Sequence, residues 1–510
     1  MRKFIGAILF LFCMFADNAG AQVNKQYFVW VGRDMVMDSR YREAIETLNI
    51  LLRADPDAYE GYFWRGIAKY HLDDLLGAER DFTLTLAKNP VYTNAYQFRA
   101  LTRSRLGNYD DAMKDFDEAI ELRPDYPAPY YSRGVTNILT GRYREAVDDF
   151  NMYMRFNQRD ADAYANRGTA YLHLQDTVAA YEDFGRAIRT NREYPRGYLE
   201  RGSLYMEQGR YDEALADFDT AVRCDTSYIP AYFSRAMVYY RKHNLQAALA
   251  DFDRVLELAP TRSVTYINRA LVNRGYRMLL CDTEYDYTKE QEMVQMVAQN
   301  KVDGIIALTY NPDLKIPPDV RSVSIDRYLS GSTTCVASDN YNGGRLAAQK
   351  LVENGCKNQA ILRIGSPLTS ETNKRRDGFV AECEAMQLPC TQKILMDDAP
   401  LSEFEHFLEE NLKDGRLAFD GIFCVTDKLA VAVIKMLRRM GQRVPEDVQV
   451  IGYDGLRAFG DQDYYCSTII QPVEAMAETC VDLVLQDSHA NTPSLLCLPV
   501  RYAYGGTTKA

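Results

Sequence analysis

SVTYINRALVNRGYRMLLCD, residues 263–282, belongs to two patterns at once. From its left end, SVTYINRAL opens an eighth copy of a 34-residue helical repeat. From its right end, RALVNRGYRMLLCD reads as the tail of a helix running into a buried β-strand, as in a βαβ unit. No Gly/Ser/Pro-rich linker parts the two readings, so one helix serves both halves of the 510-residue chain.

To the left, seven units of 34 residues start at 25, 59, 93, 127, 161, 195 and 229. The fourth position is aromatic (Phe28, Tyr62, Tyr96, Tyr130, Tyr164, Tyr198, Tyr232), and the eighth is Gly or Ala. Alanine is twentieth, and the twenty-fourth is Leu48 and then phenylalanine from Phe82 to Phe252. Small residues let two antiparallel helices approach, aromatics fill the space between units, and prolines such as Pro90 and Pro124 stop the second helix. The pattern resembles the tetratricopeptide repeat (TPR) family over residues 25–275, which implies an all-α superhelical solenoid. The lone eighth helix is expected to cap it.

Arginine is seventh and aspartate twenty-third in every unit but the first, giving Arg65/Asp81, Arg99/Asp115, Arg133/Asp149, Arg167/Asp183, Arg201/Asp217 and Arg235/Asp251. Each arginine brings its own aspartate, so a bidentate structural ladder is preferred over a charged track for an acidic ligand. Solenoids of this kind offer a concave face, built mainly by the first helix of each unit, to a peptide or protein partner. Phe63, Tyr131, Leu199 and Phe233 are the groove candidates; intra-repeat packing is the alternative for such positions.

To the right of 275 the period changes. Strand-length apolar runs (RMLLCD, VDGIIAL, SVSID, TCVASD, AILRIG, KILMDD, GIFCVT, QVIGYD, LLCLPV) alternate with helical segments, the signature of parallel α/β sheets. Ligands in such sheets sit beyond the carboxyl ends of the strands. SDNYNGGRLAAQKLVENG (338–355), RRDGF (375–379), TDKLAVAVIKMLRRMGQRVPEDVQVIGYDG (426–455) and STIIQPVEAM (467–476) resemble the effector-binding domain of LacI/GalR-type regulators, itself similar to periplasmic sugar-binding proteins of type I. The resemblance implies two α/β lobes that close over a sugar or nucleobase. It places Asp339 and Asn340 at a strand end on the lobe boundary, makes Arg375 a clamp on ligand hydroxyls, and turns Asp427 and Asp454 toward the cleft. Helix capping is the competing role: Asp427 for the helix from Lys428, Asp339 and Asn340 for the helix after Asn342. The family's helix-turn-helix has no counterpart before Tyr276, so direct nucleic-acid binding is unsupported. Its first strand and most of its first helix are missing too. The α/β domain, residues 276–510, is therefore expected to be incomplete, with a distorted or gapped first lobe and weak or absent sugar binding.

At the N-terminus, Arg2 and Lys3, the apolar run Phe4–Phe15 and Ala19-Gly20-Ala21 read as a signal peptide over residues 1–21, implying export to the periplasm. No run is long enough to span a bilayer. Of 11 cysteines, nine fall in Cys281–Cys497, which suits a reducing, cytoplasmic origin for the second half. Cys383 and Cys390 read as buried thiols in preference to a disulfide. A reading frame that joins two unrelated genes accounts for this conflict. The net charge of −11 disfavours a nucleic-acid surface. The five histidines are scattered, and no HExxH, phosphate loop or GxSxG elbow occurs, so neither an enzyme, a metal site nor a cofactor is indicated. The sequence reads as an exported, non-enzymatic TPR scaffold for protein–protein interaction with a sugar-like sensing domain. The alternatives are a carbohydrate-responsive LacI-family regulator fragment without its own helix-turn-helix, and a periplasmic solute-binding module.

Overall fold

A computed structural model describes residues 25–509 apart from 261, 277, 280, 282, 284–285, 310, 312, 330–332, 366–369, 397–398, 458–463 and 487–492. The signal-peptide segment, residues 1–21, lies outside the described residues. No helix among those described is long and apolar enough to cross a membrane. The chain divides into two compact units, the first ending at Thr226 and the second beginning at Ser227.

Seven helix pairs follow the 34-residue register, from α1 (Lys25–Met37) and α2 (Tyr41–Ala54) to α13 (Ile229–Arg241) and α14 (Leu245–Leu258). Six pairs lie in the first unit and the seventh in the second. Within a pair the chain turns at the fifteenth position, which has positive φ in all seven: Ser39, Asp73, Gly107, Gly141, Gln175, Gly209 and His243. Glycine fills three of these positions and polar side chains the rest, consistent with a left-handed cap at a helix end. The small eighth residue faces the large twenty-fourth: a Cβ on Gly168 would come within 2.6 Å of the Phe184 ring. Phe82, Phe116, Phe150, Phe184, Phe218 and Phe252 are all fully buried.

The ladder is bidentate in every rung. Arg99 Nε and Nη2 donate to the two Asp115 oxygens at 2.8 and 2.7 Å, and Arg201 does the same to Asp217 at 2.8 and 2.7 Å. Arg133 holds Asp149 at 3.1 and 2.6 Å. In several rungs the remaining nitrogen reaches back one unit: Arg65 Nη1 to Asn49 (2.7 Å), Arg133 Nη1 to Asp117 (2.5 Å), Arg167 Nη1 to Asn151 (2.6 Å). One guanidinium thus fixes both the angle within a pair and its stacking on the pair before.

The second unit continues with α15 (Ser263–Asn273) and α16 (Tyr287–Gln299), then two sheets. The first contains β1 (Ile305–Ala307), β2 (Ser322–Ile325), β3 (Thr334–Ser338) and β11 (Leu495–Leu498), in the order β1-β2-β3-β11, all parallel. The second contains β4 (Gln359–Ile364), β5 (Cys390–Leu395), β8 (Gly421–Cys424), β9 (Gln449–Asp454), β10 (Ser467–Ile470) and β12 (Arg501–Ala503), in the order β12-β10-β9-β8-β4-β5. Only β12 is antiparallel to its neighbour. A short hairpin, β6 (Leu412–Lys413) with β7 (Arg416–Leu417), stands apart. The flanking helices are α17 (Asn340–Glu353), α18 (Lys374–Ala385), α19 (Ser402–Glu410), α20 (Asp427–Arg439) and α21 (Val473–Leu485).

Two expectations are corrected here. In the run RMLLCD the described residues Met278, Leu279 and Cys281 have no regular secondary structure, and Leu279 is 65% exposed; the other three positions lie outside the described residues. A strand needs a neighbour to take its backbone hydrogen bonds, and the outer strand β1 pairs with β2 alone among the described residues. Nor is the first sheet gapped, because its four strands are one another's neighbours.

The repeat helix α15 is packed as a member of the lobe. Ile267, Ala270 and Leu271 share an apolar cluster with Ala477 and Val481 of α21, joined by Ile306 of β1 and Ile325 of β2. The opposite face supplies Val272 to the cluster of Tyr240 and Phe252 in the seventh pair. Arg269, the ladder arginine of the eighth unit, reaches back to Asp253 (3.0 Å) and takes Glu474 of α21 as its second partner. Arg274 adds Glu478 (2.6 Å) and Asp482 (2.7 Å). The lobe's own helix α21 thus packs on the face of α15 that carries Arg269 and Ala270. The expected terminal cap is therefore a covered helix, not a free end.

Candidate functional site

Five strands of the two sheets end around one polar ring. Asp326 follows β2, Ser338 ends β3, Val425 follows β8, Asp454 ends β9 and Gln471 follows β10. Arg375, in the first turn of α18, is 4% exposed and centres the ring. Its Nε donates to Asn340 Oδ1 (2.8 Å), and its Nη1 donates to the Val425 carbonyl (2.8 Å) and to Asp454 Oδ1 (3.2 Å). The guanidinium carbon sits 3.8 Å from the centre of the buried Tyr453 ring, within cation–π range. Asn340 Nδ2 donates to the Ser338 carbonyl (3.0 Å) and to Asp326 Oδ1 (3.4 Å). Ser338 Oγ lies 3.2 Å from Gln471 Oε1, and Gln471 Nε2 donates to Asp454 Oδ1 (2.8 Å), which closes the circuit.

Two carboxylates of the ring sit on backbone that side chains rarely adopt, with φ of 56° at Asp326 and 126° at Asp454. Conformations of that kind concentrate at ligand sites because surrounding bonds must hold them. Burial raises both carboxyls, and the Arg375 charge works against that rise. Burial likewise pushes the Tyr453 phenol up to about 12. The Asp454 side chain keeps 29% exposure, and Asp326 and Gln471 are half-buried too, so these three are the ring members open to a ligand. A carboxylate beside guanidinium and amide donors suits vicinal hydroxyls.

The structure thus brings together three of the five residues carried over by resemblance: Asn340, Arg375 and Asp454. The other two do different work. Asp339 is half-buried and caps α17, accepting from Asn342 N (3.1 Å) and Asn342 Nδ2 (2.7 Å). Asp427 is completely buried and neither faces solvent nor caps α20; Thr426 is the cap, accepting from Leu429 N. Asp427 Oδ2 accepts from Gly455 N (2.8 Å) and Leu456 N (2.6 Å), and its Oδ1 accepts from Thr468 Oγ1 (2.7 Å). Burial pushes its carboxyl up to about 6. It pins the loop after β9 and so holds Asp454 from behind. Asp326, Ser338, Tyr453 and Gln471 went unselected in the sequence, although each ends or follows a strand-like run, or stands one residue before its end.

Among the groove candidates, Phe63 is 2% exposed and packs its ring on Phe82, Tyr92 and Phe98, so it belongs to the repeat core. Tyr131, Leu199 and Phe233 are half-buried. Tyr131 accepts from Asn166 Nδ2 (3.1 Å), and the Arg262 guanidinium lies 4.9 Å from the Phe233 ring centre. Among the described residues no cluster of His, Cys, Asp and Glu is arranged to hold a metal. Cys383 is buried as expected and donates to Gln359 Oε1 (3.3 Å), while Cys390 is half-buried.

Comparison with known proteins divides the chain the same way. The profile of the periplasmic binding protein-like domain matches residues 348–508. Tetratricopeptide repeat profiles match residues 38–91, 105–141, 166–229 and 199–263. The sucrose operon repressor of Pediococcus pentosaceus is 34% identical over 246 residues, 46% of this chain and 74% of the repressor. The ribose operon repressor of Bacillus subtilis (strain 168) is 31% identical over 244 residues, 47% of this chain and 73% of the repressor. A solved periplasmic binding protein/LacI transcriptional regulator from Alkaliphilus metalliredigens QYMF, complexed with D-xylulofuranose, is 27% identical with a TM-score of 0.43, covering 49% of this chain and 94% of that one.

Proposed function

Because the chain belongs, through its second half, to the LacI-type family of periplasmic-binding-protein-like domains and carries tetratricopeptide repeats in its first, we propose that it is a non-enzymatic sensor-scaffold. In this reading the repeats hold a protein partner, the two sheets bind a sugar-like molecule, and the protein acts outside the cytoplasm. The observation that carries the sensing role is the ring of Arg375, Asn340 and Asp454 at the carboxyl ends of strands from both sheets. Support for a sugar comes from relatives that are repressors of sucrose and ribose operons.

The test is thermal unfolding of the full chain across pentoses, hexoses, disaccharides and nucleobases. A ligand at a hundred times its dissociation constant adds about 2.7 kcal/mol. Asp454→Ala, which removes the carboxylate paired with Arg375, should abolish the ligand-induced shift and, because it leaves that buried guanidinium without its carboxylate, should also lower the ligand-free transition. A flat response across the panel would leave the lobes without a sensing role.

A carbohydrate-responsive regulator of cytoplasmic origin is the second reading. The ten described cysteines are all free, and seven of the nine in the second half are buried or half-buried thiols, as a reducing compartment permits. Fractionation of the native cell separates the readings.

A further inference from the structure

We propose that the fifth repeat carries a binding site for an acidic peptide segment of a partner protein, where the end of its second helix meets the turn before its first. A cavity of about 540 Å³ is lined there by Arg159, Tyr164, Arg186, Arg189 and Thr190. Arg159 stands in the turn before the first helix (Ala161–His173) of the fifth unit, and Arg186, Arg189 and Thr190 close its second helix (Thr177–Thr190). Tyr164, in the first turn of that first helix, completes the lining, and none of the groove candidates Phe63, Tyr131, Leu199 and Phe233 belongs to it, so the inference stands whether or not that groove is used.

The repeat register shows that the three arginines are particular to this unit. The same three positions are Val91, Glu118 and Glu121 in the third unit, and Asp57, Leu84 and Ala87 in the second. No other unit has arginine at all three, so nothing in the repeat architecture demands it. Arg186 leans on Glu182 (3.4 Å) and Asp183 (3.3 Å), but Asp183 is already held by the two-pronged Arg167 bridge at 2.7 and 2.8 Å. Arg159 and Arg189 make no ion pair among the described residues, and both are exposed. A chain of net charge −11 thus gathers three guanidiniums around one cavity, and of the three only Arg186 has carboxylate partners among the described residues. Guanidinium forks match carboxylates in bidentate geometry, and each such bond is stronger than a neutral one. The depression is open to solvent, so an extended segment can lie across it with more than one carboxylate in reach of the arginines.

The experiment uses the full chain and a fluorescein-labelled hexaglutamate peptide, followed by anisotropy at low salt. The wild type should bind, and affinity should fall steeply as salt is added. Arg159→Glu with Arg189→Glu should cost at least about tenfold, because two charge-assisted hydrogen bonds to the peptide are removed. Arg189→Gln, which removes the charge without reversing it, should weaken binding less in the same direction. Arg42→Glu with Arg53→Glu, exposed positions in the first unit, makes the same change in net charge and should shift binding by less than about twofold, as bulk screening predicts. Circular dichroism verifies that each variant keeps its helix content. Equal weakening in both double variants would reduce the effect to bulk charge and overturn the site. So would failure of the wild type to bind hexaglutamate, and so would binding of inorganic phosphate alone.

Discussion

Leu271→Ala tests whether the last repeat helix is part of the lobe. Leu271 is 8% exposed in α15 and shares its cluster with Ala477 and Val481 of α21, Ile306 of β1 and Ile325 of β2. Truncating a buried leucine costs about 2–5 kcal/mol, the lost transfer energy plus the cavity left behind. Ala270 and Val481 are fully buried on either side, which limits collapse into the space and favours a middle value, about 3 kcal/mol. In a unit of this size each kcal/mol moves the midpoint by about 2–4 °C, so its transition should fall by roughly 6–12 °C. Calorimetry of the full chain, which allows for separate transitions of the two units, reads this directly. Hydrogen exchange should show faster opening of Ile305–Ala307 and Ser322–Ile325, strands that a lone repeat helix would leave untouched. The control is Phe184→Ala in the first unit, an aromatic truncation costing about 3–5 kcal/mol that should lower the other transition. If Leu271→Ala lowers only the transition that Phe184→Ala lowers, and exchange in both strands is unchanged, the shared helix belongs to the repeats alone.

Three further outcomes are expected. Arg167→Ala leaves Asp183, 1% exposed, without its bidentate partner and should cost about 3–5 kcal/mol by thermal unfolding, with Arg167→Lys recovering only part because it keeps the charge but loses the fork. The Asp427 carboxyl is raised by burial from near 3.8 to about 6, so its contribution favours folding below the unfolded value and is lost as pH rises through 6, about 3 kcal/mol in all. Urea denaturation between pH 4 and 7 should show that slope, and Asp427→Asn should flatten it whatever it does to stability at one pH. Native alkylation followed by mass spectrometry should label the exposed Cys281 and Cys497 first, while Cys335, Cys356, Cys424, Cys466 and Cys480 react only on unfolding; prompt labelling of those five would refute the packing around β3, β8, β10 and α21.

The repeats were legible because every unit writes the same constraint. A small eighth residue and a buried twenty-fourth meet at one spot, and a two-residue match at fixed spacing survives loop variation. The strands of the second half were legible as apolar runs, with exceptions that have physical causes. RMLLCD has strand composition, yet its described residues Met278, Leu279 and Cys281 pair with no strand. β12 is a three-residue antiparallel edge, too short for an alternating signal. In the site, Arg375 and Asp454 could be found because a motif carries them. Asp326 and Gln471 could not, because their roles depend on two sheets whose strand ends meet only in three dimensions. Asp427 was placed in the cleft or at a helix cap, and its four-partner burial answers to neither: Gly455, 28 residues on, and the loop it opens decide where its oxygens point.

The segment 263–282 shows why a sequence can belong to two patterns without contradiction. Helix α15 needs a small residue at its eighth position, and the twentieth and twenty-fourth residues of a partner helix to close on it. Ala477 and Val481, four apart on α21, supply that spacing from a helix more than two hundred residues away. The ladder does not carry over: the twenty-third position in that register is Cys480, and Arg269 pairs instead with Glu474, one turn before Ala477. The last repeat helix and the α/β lobe therefore join through the repeat's small-residue spacing without its Arg–Asp rung, and the lobe keeps a helix on its first sheet. A substitution at Ala270 or Val481 should therefore be felt first in the lobe, and Val272→Ala in the seventh repeat, because the two faces of α15 sit in different clusters.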